Sequence, residues 1–309
     1  MALGTHDHHN DARNAEVLVW VNGDLLPRDR AVVSVFDSGF VLGDGVWEGL
    51  RVSSGHPAFL DRHLDRLEEG ARAIMLDLGM SRAQLTDAVY ATLRANDMTD
   101  GVHVRLMVTR GVKSTPYQDP RVTVGPATVV VIAEHKEPMP ATVTDGITLF
   151  TTHVRRATPD TLDPKLNAHS KLNDITACIQ AYTAGADEAL MLDPHGFVAT
   201  CNSTHFFIVT RAGEVWTSDG RFCLGGITRG NVLEVCARDR IVARETTFSL
   251  TDVYNAAEAF VTGTFAGVVP VRTVDGRTIG TGERGPVVER LQGLYQEYVA
   301  TDVAGRGRP

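Results

Sequence analysis

Residues 135–142 read HKEPMPAT, with Pro138 and Pro140 set among polar neighbours. Such a stretch neither continues a strand nor sits inside a helix, so it is expected to link two lobes. On its N-terminal side lie VHVRLMVTRG (102–111) and ATVVVIAEH (127–135), two apolar runs that read as buried strands. Further back, VLVWVNGDLLP (17–27) turns at Asn22-Gly23-Asp24, which predicts a hairpin. A second apolar run follows at 31–43, AVVSVFDSGFVLG, and VWEGLRVSSGHPAFL (46–60) reads as two strands joined by Ser53-Ser54-Gly55. Leu60, Leu64, Leu67, Ala71 and Ile74 recur at the three- and four-residue spacing of an amphipathic helix. Ser81 is placed to cap a second helix, SRAQLTDAVYATLRAND.

On the C-terminal side of the link come strands at ITLFTTHV (147–154) and EALMLDP (188–194), with NDITACIQAYTAG (173–185) as the helix between them. THFFIVTRAGEVWTSD (204–219) reads as a hairpin, GITRGNVLEVCARD (226–239) and FSLTDVYNA (248–256) as helices, and PVVERLQGLYQEYVA (286–300) as a closing helix. The sum is an α+β chain in two lobes, rich in antiparallel hairpins and unlike a doubly wound sheet. The expected division is a tail over 1–15, a small N-terminal lobe over 16–134 and the link over 135–142. A large C-terminal lobe over 143–303 and a second tail over 304–309 complete it.

Composition narrows the function classes. In 309 residues there are 30 Lys+Arg against 38 Asp+Glu, a formal charge of -8. That balance argues against binding a nucleic-acid backbone, which needs a basic patch. No apolar run reaches the roughly 18–20 residues of a membrane span. Cys178, Cys201, Cys223 and Cys236 fall in no metal-binding or disulfide spacing, which suits a reduced, cytoplasmic protein. His6, His8 and His9 have no accompanying carboxylate or thiol ligand pattern and read as part of a solvated tail.

Two segments suit a small anion. Leu224-Gly225-Gly226-Ile227-Thr228 runs straight into a helix, where free N–H groups and the helix dipole favour negative charge. Thr262-Gly263-Thr264 follows a strand. Each alone fits a plain turn better than an anion site, and neither is a Walker loop nor a dinucleotide fingerprint. Lys165 and Lys171, in DPKLNAHSKLNDITACIQA, stand where a strand passes into an apolar helix. A lysine desolvated there can attack a carbonyl, whereas a solvated one is ordinary surface. His103, His153, His169 and His205 remain open between pocket and ordinary hydrogen-bonded positions.

Taken together, FDSGFVLGDGVWEGLRV, FLDRHLDRL, VRLMVTRG, GADEALMLD, GGITRGNVLE and VDGRTIGTGERGPV, in that order, resemble the class IV aminotransferases over about Val17 to Tyr298. That family includes branched-chain, D-amino-acid and R-selective amine transaminases and aminodeoxychorismate lyase. The resemblance implies the two-lobed fold type IV, pyridoxal 5'-phosphate held as a lysine aldimine, ping-pong transamination with a 2-oxo acid, and a homodimer. It assigns Arg66 to the cofactor phosphate, with Gly226, Ile227 and Thr228 as one phosphate cup and Gly263 and Thr264 as a second. Arg105, Arg110 and Lys113 lie where relatives draw ligands for a substrate carboxylate. TRGVKSTPYQDP (109–120) resembles the amine and D-amino-acid branches more than the branched-chain one.

Two positions depart from the family. The Schiff-base lysine aligns with Asn167, leaving Lys171, four residues on, as the expected lysine and Lys165, two before, as the alternative. Thr200 stands where the family has a glutamate for the pyridine nitrogen, and a hydroxyl cannot hold that proton as a carboxylate does. These departures keep two alternatives open: a lyase of the same fold, and a relative that binds the cofactor without catalysis.

Overall fold

The computed structural model describes residues 4–306, and its chain divides into two compact units. One comprises residues 9–137, 166–171 and the C-terminal residues from 301; the other comprises residues up to 8, 138–165 and 172–300.

The first unit is built on a six-stranded sheet in the order β2-β1-β6-β5-β3-β4. Its strands are β1 (Leu18–Val21), β2 (Asp24–Pro27), β3 (Gly45–Ser53), β4 (His56–Pro57), β5 (Val102–Thr109) and β6 (Thr128–His135). All are antiparallel, and β3 pairs along its length with β5, Gly49 opposite Arg105. The β1–β2 turn falls at Asn22-Gly23, both at positive φ, as the Asn-Gly pair predicts. Between β2 and β3 lies a short helix α1 (Ser38–Leu42), capped by the Asp37 carboxylate on the Gly39 N–H. The apolar run at 31–43 is therefore no core strand: Val32, Val35 and Phe40 are exposed. Helices α2 (Leu60–Ala73) and α3 (Arg82–Ala95) bury Leu64, Leu67, Leu85 and Leu93 with Val46, Leu50 and Leu106 of the sheet. Ser81 and Gln84 form a reciprocal capping box at the start of α3.

The other unit carries α4 (Pro140–Thr144), β7 (Ile147–Thr151), α5 (Pro159–Leu162), α6 (Leu172–Thr183), β8 (Glu188–Leu192), β9 (Val198–Cys201), β10 (His205–Val209) and β11 (Val215–Thr217). It continues with α7 (Ile227–Arg238), β12 (Ala243–Glu245), α8 (Leu250–Tyr254), β13 (Glu258–Gly263), β14 (Gly267–Val274), β15 (Arg277–Thr278) and the start of α9 (Pro286–Ala304). Its strand order is β12-β11-β10-β13-β14-β7-β8-β9, with β15 on β14. The sheet is mixed, because β7 runs parallel to both β14 and β8 and α6 makes the crossover between β7 and β8.

The chain ends differ from solvated tails. The Thr5 hydroxyl is buried against the Glu188 carboxylate and the His6 ring stacks on Phe265 at 5.6 Å. Asn14 brackets His135, donating to its carbonyl and accepting from its N–H, both at 2.8 Å. Helix α9 runs on to Ala304, and Arg306 pairs with Asp61 at 3.2 Å. The expectations for residues 1–3 and 307–309 lie outside the described residues. Among the described residues no helix is long and apolar enough to cross a membrane.

Candidate active site

In the first unit the site grows from Trp47 on β3. Residues 166–171 lie along that strand, with Ala168 bridged antiparallel to Val46. The Trp47 N–H donates to the Asn167 carbonyl at 3.0 Å, its carbonyl accepts from the Asn167 carboxamide at 2.6 Å, and its indole N–H donates to the Ala168 carbonyl at 3.1 Å. Three hydrogen bonds thus fix the ring before any ligand arrives. Asn167, at the family's lysine position, is buried and spends its side chain in this clasp.

The Arg105 guanidinium packs over the Trp47 ring at 4.1 Å from its centroid, and the Lys171 ammonium lies 5.7 Å from the same centroid. Lys171 is half-buried, whereas Lys165 is exposed and contributes only its backbone N–H to Asp163. Of the two candidate lysines, Lys171 alone has the aromatic platform.

The three carboxylate candidates separate clearly. Arg110 is spent: it holds Asp44 through two nitrogens and the carbonyls of Ile74 and Met75 through two more contacts. Lys113 is buried, with its ammonium on the Asp119 carbonyl at 3.2 Å. Arg105 has no hydrogen-bond or ion-pair partner among the described residues, and burial pulls it below the usual guanidinium range. A half-desolvated guanidinium held over a fixed indole keeps its N–H donors for an incoming anion.

Arg66 projects from α2 toward Glu48 of β3. Its Nε and Nη2 meet the two Glu48 oxygens at 2.8 and 2.6 Å, and His63 Nδ1 contacts the same carboxylate at 2.6 Å. Burial works to raise the Glu48 carboxyl, but the Arg66 charge and the hydrogen bonds from His63 and Arg66 outweigh it and hold it low. Burial likewise pushes His63 down. The guanidinium that resemblance assigns to a phosphate thus has its Nε–Nη2 edge held by a carboxylate.

The other unit carries neutral donors. Helix α7 begins at Ile227 with Gly226 as N-cap and no side-chain cap, the kind of helix start whose free N–H groups suit an anion. Gly226 is required where it stands, since an added Cβ would overlap the His205 ring. That ring shares a 2.7 Å hydrogen bond with the Leu224 carbonyl, and His205 pairs with Thr262 across β10 and β13. One residue therefore brings both glycine-containing loops, 224–228 and 262–264, to the same place in the sheet. Among the described residues the buried Thr262 hydroxyl has no hydrogen-bond partner, and Thr228 is buried at the first turn of α7. Free N–H groups and an unsatisfied buried hydroxyl fit a phosphate.

Thr200 lies on β9, buried, and its hydroxyl donates to the Thr204 carbonyl at 2.8 Å. With its hydrogen spent, the Thr200 oxygen can only accept from a further group. The Thr204 hydroxyl donates at 2.7 Å to Glu188, which also accepts from Thr5. Burial pushes the Glu188 carboxyl up to about 7.

Sequence reasoning did not single out Trp47, Glu48, His63 or Glu188. His63 and Arg66 share one face of α2 at an i, i+3 spacing, which was the available signal for that pair. Glu48 and Glu188 gave none, because their value depends on partners distant in sequence.

Residues 45–274 match the family described as amino-transferase class IV, and this chain belongs to that family. Among its relatives, branched-chain-amino-acid aminotransferase-like protein 2 of Arabidopsis thaliana is 40% identical over 292 residues, covering 94% of this chain and 52% of that protein. The chain thus spans about half the length of that relative. A putative branched-chain-amino-acid aminotransferase of Methanocaldococcus jannaschii is 37% identical over 280 residues, covering 90% of this chain and 95% of its own. Among solved structures, the T.th. branched-chain amino acid aminotransferase complexed with N-(5'-phosphopyridoxyl)-L-glutamate superposes with a TM-score of 0.85 at 28% identity. That match covers 93% of this chain and 95% of the other, and identifies the architecture as the two-lobed fold type IV.

Proposed function

We propose that this chain is a pyridoxal 5'-phosphate-dependent transaminase that moves an amino group between an amino acid or primary amine and a 2-oxo acid. The observation that carries the reading is the Lys171 ammonium, held beside a Trp47 ring that the substituted lysine position itself clamps. The cofactor, when bound, supplies an aldehyde for the amine and a ring that withdraws electrons from the substrate Cα. Lys171 would hold the group covalently and, once released by the substrate amine, would move a proton at the substrate Cα as general base and acid.

The phosphate is assigned to Gly226, Ile227, Thr228, Gly263 and Thr264, with Arg66 as its guanidinium and Glu48 as the group that aims it. Thr200 is assigned to the ring nitrogen. Arg105 is assigned to a substrate carboxylate, because it alone of the three candidates has uncommitted donors. The relative solved with a glutamate adduct supports a dicarboxylic partner substrate.

A homodimer is part of the proposal. Leu172, Ile175, Ile179 and Tyr182 leave an apolar stripe on α6 that is 75, 51, 57 and 73% exposed, a surface a second copy would cover. Four free cysteines, three of them buried, support a cytoplasmic setting.

The test is reconstitution with pyridoxal phosphate, borohydride reduction and peptide mapping. A visible chromophore, a label on the Lys171 peptide and accumulation of pyridoxamine phosphate with an amino donor are expected. A label on the Lys165 peptide overturns the lysine assignment. Turnover of an amine substrate without pyridoxamine phosphate accumulation shows the lyase instead.

A further inference from the structure

Resting on that reading, we propose that Glu188 is a positioning residue that acts through Thr204 and Thr200 to supply the negative charge missing at the ring-nitrogen position. The chain of contacts is continuous. The Thr200 hydroxyl donates to the Thr204 carbonyl at 2.8 Å, and the Cys201 N–H fills the same carbonyl at 2.9 Å. The Thr204 hydroxyl donates to Glu188 Oε2 at 2.7 Å, and the Thr5 hydroxyl donates to Oε1. All four side chains are buried.

The direction of the hydrogens matters. Both lone pairs of the Thr204 carbonyl are taken, so the Thr200 hydrogen stays on that carbonyl and its oxygen presents only lone pairs. Such an oxygen pairs with a protonated ring nitrogen and not with a neutral one. A neutral acceptor leaves that cation unbalanced, and the balancing charge has to come from the next layer.

Glu188 is the group available. Among the described residues no Lys, Arg or His forms an ion pair with it, so its charge is not already neutralised. The groups that face it are the hydroxyls of Thr5, Ser203 and Thr204, the neighbouring Asp187, Cys178 of α6 and Cys201 of β9, with His6 one step further on the Thr5 hydroxyl. Burial and the Asp187 charge push Glu188 up, and the hydroxyls pull it down. A cation on the far side of Thr200 would draw it to its ionised form. A buried carboxyl left without a cation inside a threonine network is therefore readied for a charged ligand rather than for fold stability.

The experiment is a pH titration of the cofactor's visible absorbance in the holoenzyme, with cofactor affinity measured alongside. Wild type, Glu188→Gln, Thr200→Glu and the double variant are compared. Removing the negative charge disfavours the protonated chromophore, so Glu188→Gln is expected to lower the spectral midpoint by about one pH unit. Thr200→Glu in the Glu188→Gln background should restore it, since the carboxylate is then supplied directly. A structural role alone would not be rescued in this way. A folded Glu188→Gln holoenzyme with the wild-type midpoint overturns the proposal. Should Glu188→Gln not fold, Thr204→Val cuts the link while keeping the carboxyl, and an unmoved midpoint there overturns it equally. A chromophore absent from all four proteins overturns the transaminase reading and this proposal together, whereas a chromophore indifferent to Glu188 overturns this proposal alone.

Discussion

Glu48 and Glu188 are both buried glutamates, yet their surroundings drive them in opposite directions. Glu48, in the unit of residues 9–137, meets the Arg66 guanidinium through both oxygens and His63 through one, and its carboxyl is held low. Glu188, in the unit that begins its strands at β7, meets hydroxyls only and is pushed up to about 7. The difference shows that burial alone does not set the state of a carboxyl; the presence of a cation does. The same contrast separates the residues proposed for the site. Those in the unit of residues 9–137 and 166–171 are charged: Arg66 beside Glu48, and Arg105 and Lys171 beside Trp47. Those in the other unit are neutral: the N–H groups at the start of α7 and the hydroxyls of Thr200, Thr228 and Thr262.

If the charged set does the chemistry and the neutral set positions, variants should rank accordingly. Lys171→Ala heads the ranking, with borohydride capture abolished and turnover down by roughly 10²–10⁴-fold, the range for losing a positioned acid-base group. Lys165→Ala should leave the label on the Lys171 peptide. Capture that persists in Lys171→Ala breaks the division at its strongest point.

Next come the two glutamates themselves, whose replacements should carry opposite signs. Glu48→Ala leaves the partly buried Arg66 without its counter-charge and the buried His63 without its acceptor, and should destabilise by about 3–5 kcal/mol in urea denaturation. Glu188→Gln should do the reverse in alkaline buffer. The Glu188 folded-state pKa lies above its unfolded value, so its contribution is most favourable below about 4.5 and is lost as pH rises toward about 7. Above that range the glutamine variant of the unloaded protein should gain up to about 3 kcal/mol, and below pH 4.5 the gain should vanish. Equal destabilisation by both replacements at pH 8 removes the contrast between them.

The sequence carried most of the architecture and only part of the site, for a physical reason. Elements with local determinants read correctly: the Asn22-Gly23 turn, the Ser81 cap, and the apolar spacing of α2. The run at 31–43 carried no clear element in the sequence, and the structure closes a one-turn helix there between Asp37 and Gly43. The helix start at Gly226, Ile227 and Thr228 was readable because its glycine pair and the apolar run after it are local. Whether Arg105, Arg110 or Lys113 had donors to spare was not, since that depends on Asp44, Asp119 and Trp47, brought in by other elements. Glu188 stayed hidden for the same reason, its partners being Thr5 and Thr204.

Within the charged set, Arg105 should have the smaller effect because it binds and does not react. A hydrogen-bonded charge pair is worth about 1.5–3 kcal/mol, which corresponds to roughly a 10- to 100-fold rise in KM for a dicarboxylic 2-oxo acid in Arg105→Leu. The value of kcat should change far less, and a 2-oxo acid with an apolar side chain should show a smaller rise. Equal loss for both substrates places Arg105 on the carboxylate they share instead of the one that distinguishes them.

The neutral set closes the ranking. Thr228 contributes one hydroxyl at the first turn of α7, next to N–H groups that remain when the side chain changes. Replacing it with valine keeps the β-branched shape and removes a single hydrogen bond to an anion. The cost should be about 1–2 kcal/mol, a drop of roughly 5- to 30-fold in cofactor affinity measured by equilibrium dialysis, with turnover at saturating cofactor retained. The loss should be smaller than that of Arg66→Leu, which removes a full charge already aligned by Glu48. Should Thr228→Val weaken cofactor binding more than Arg66→Leu does, the hydroxyls and not the guanidinium hold the phosphate, and the ranking of charged over neutral groups is reversed.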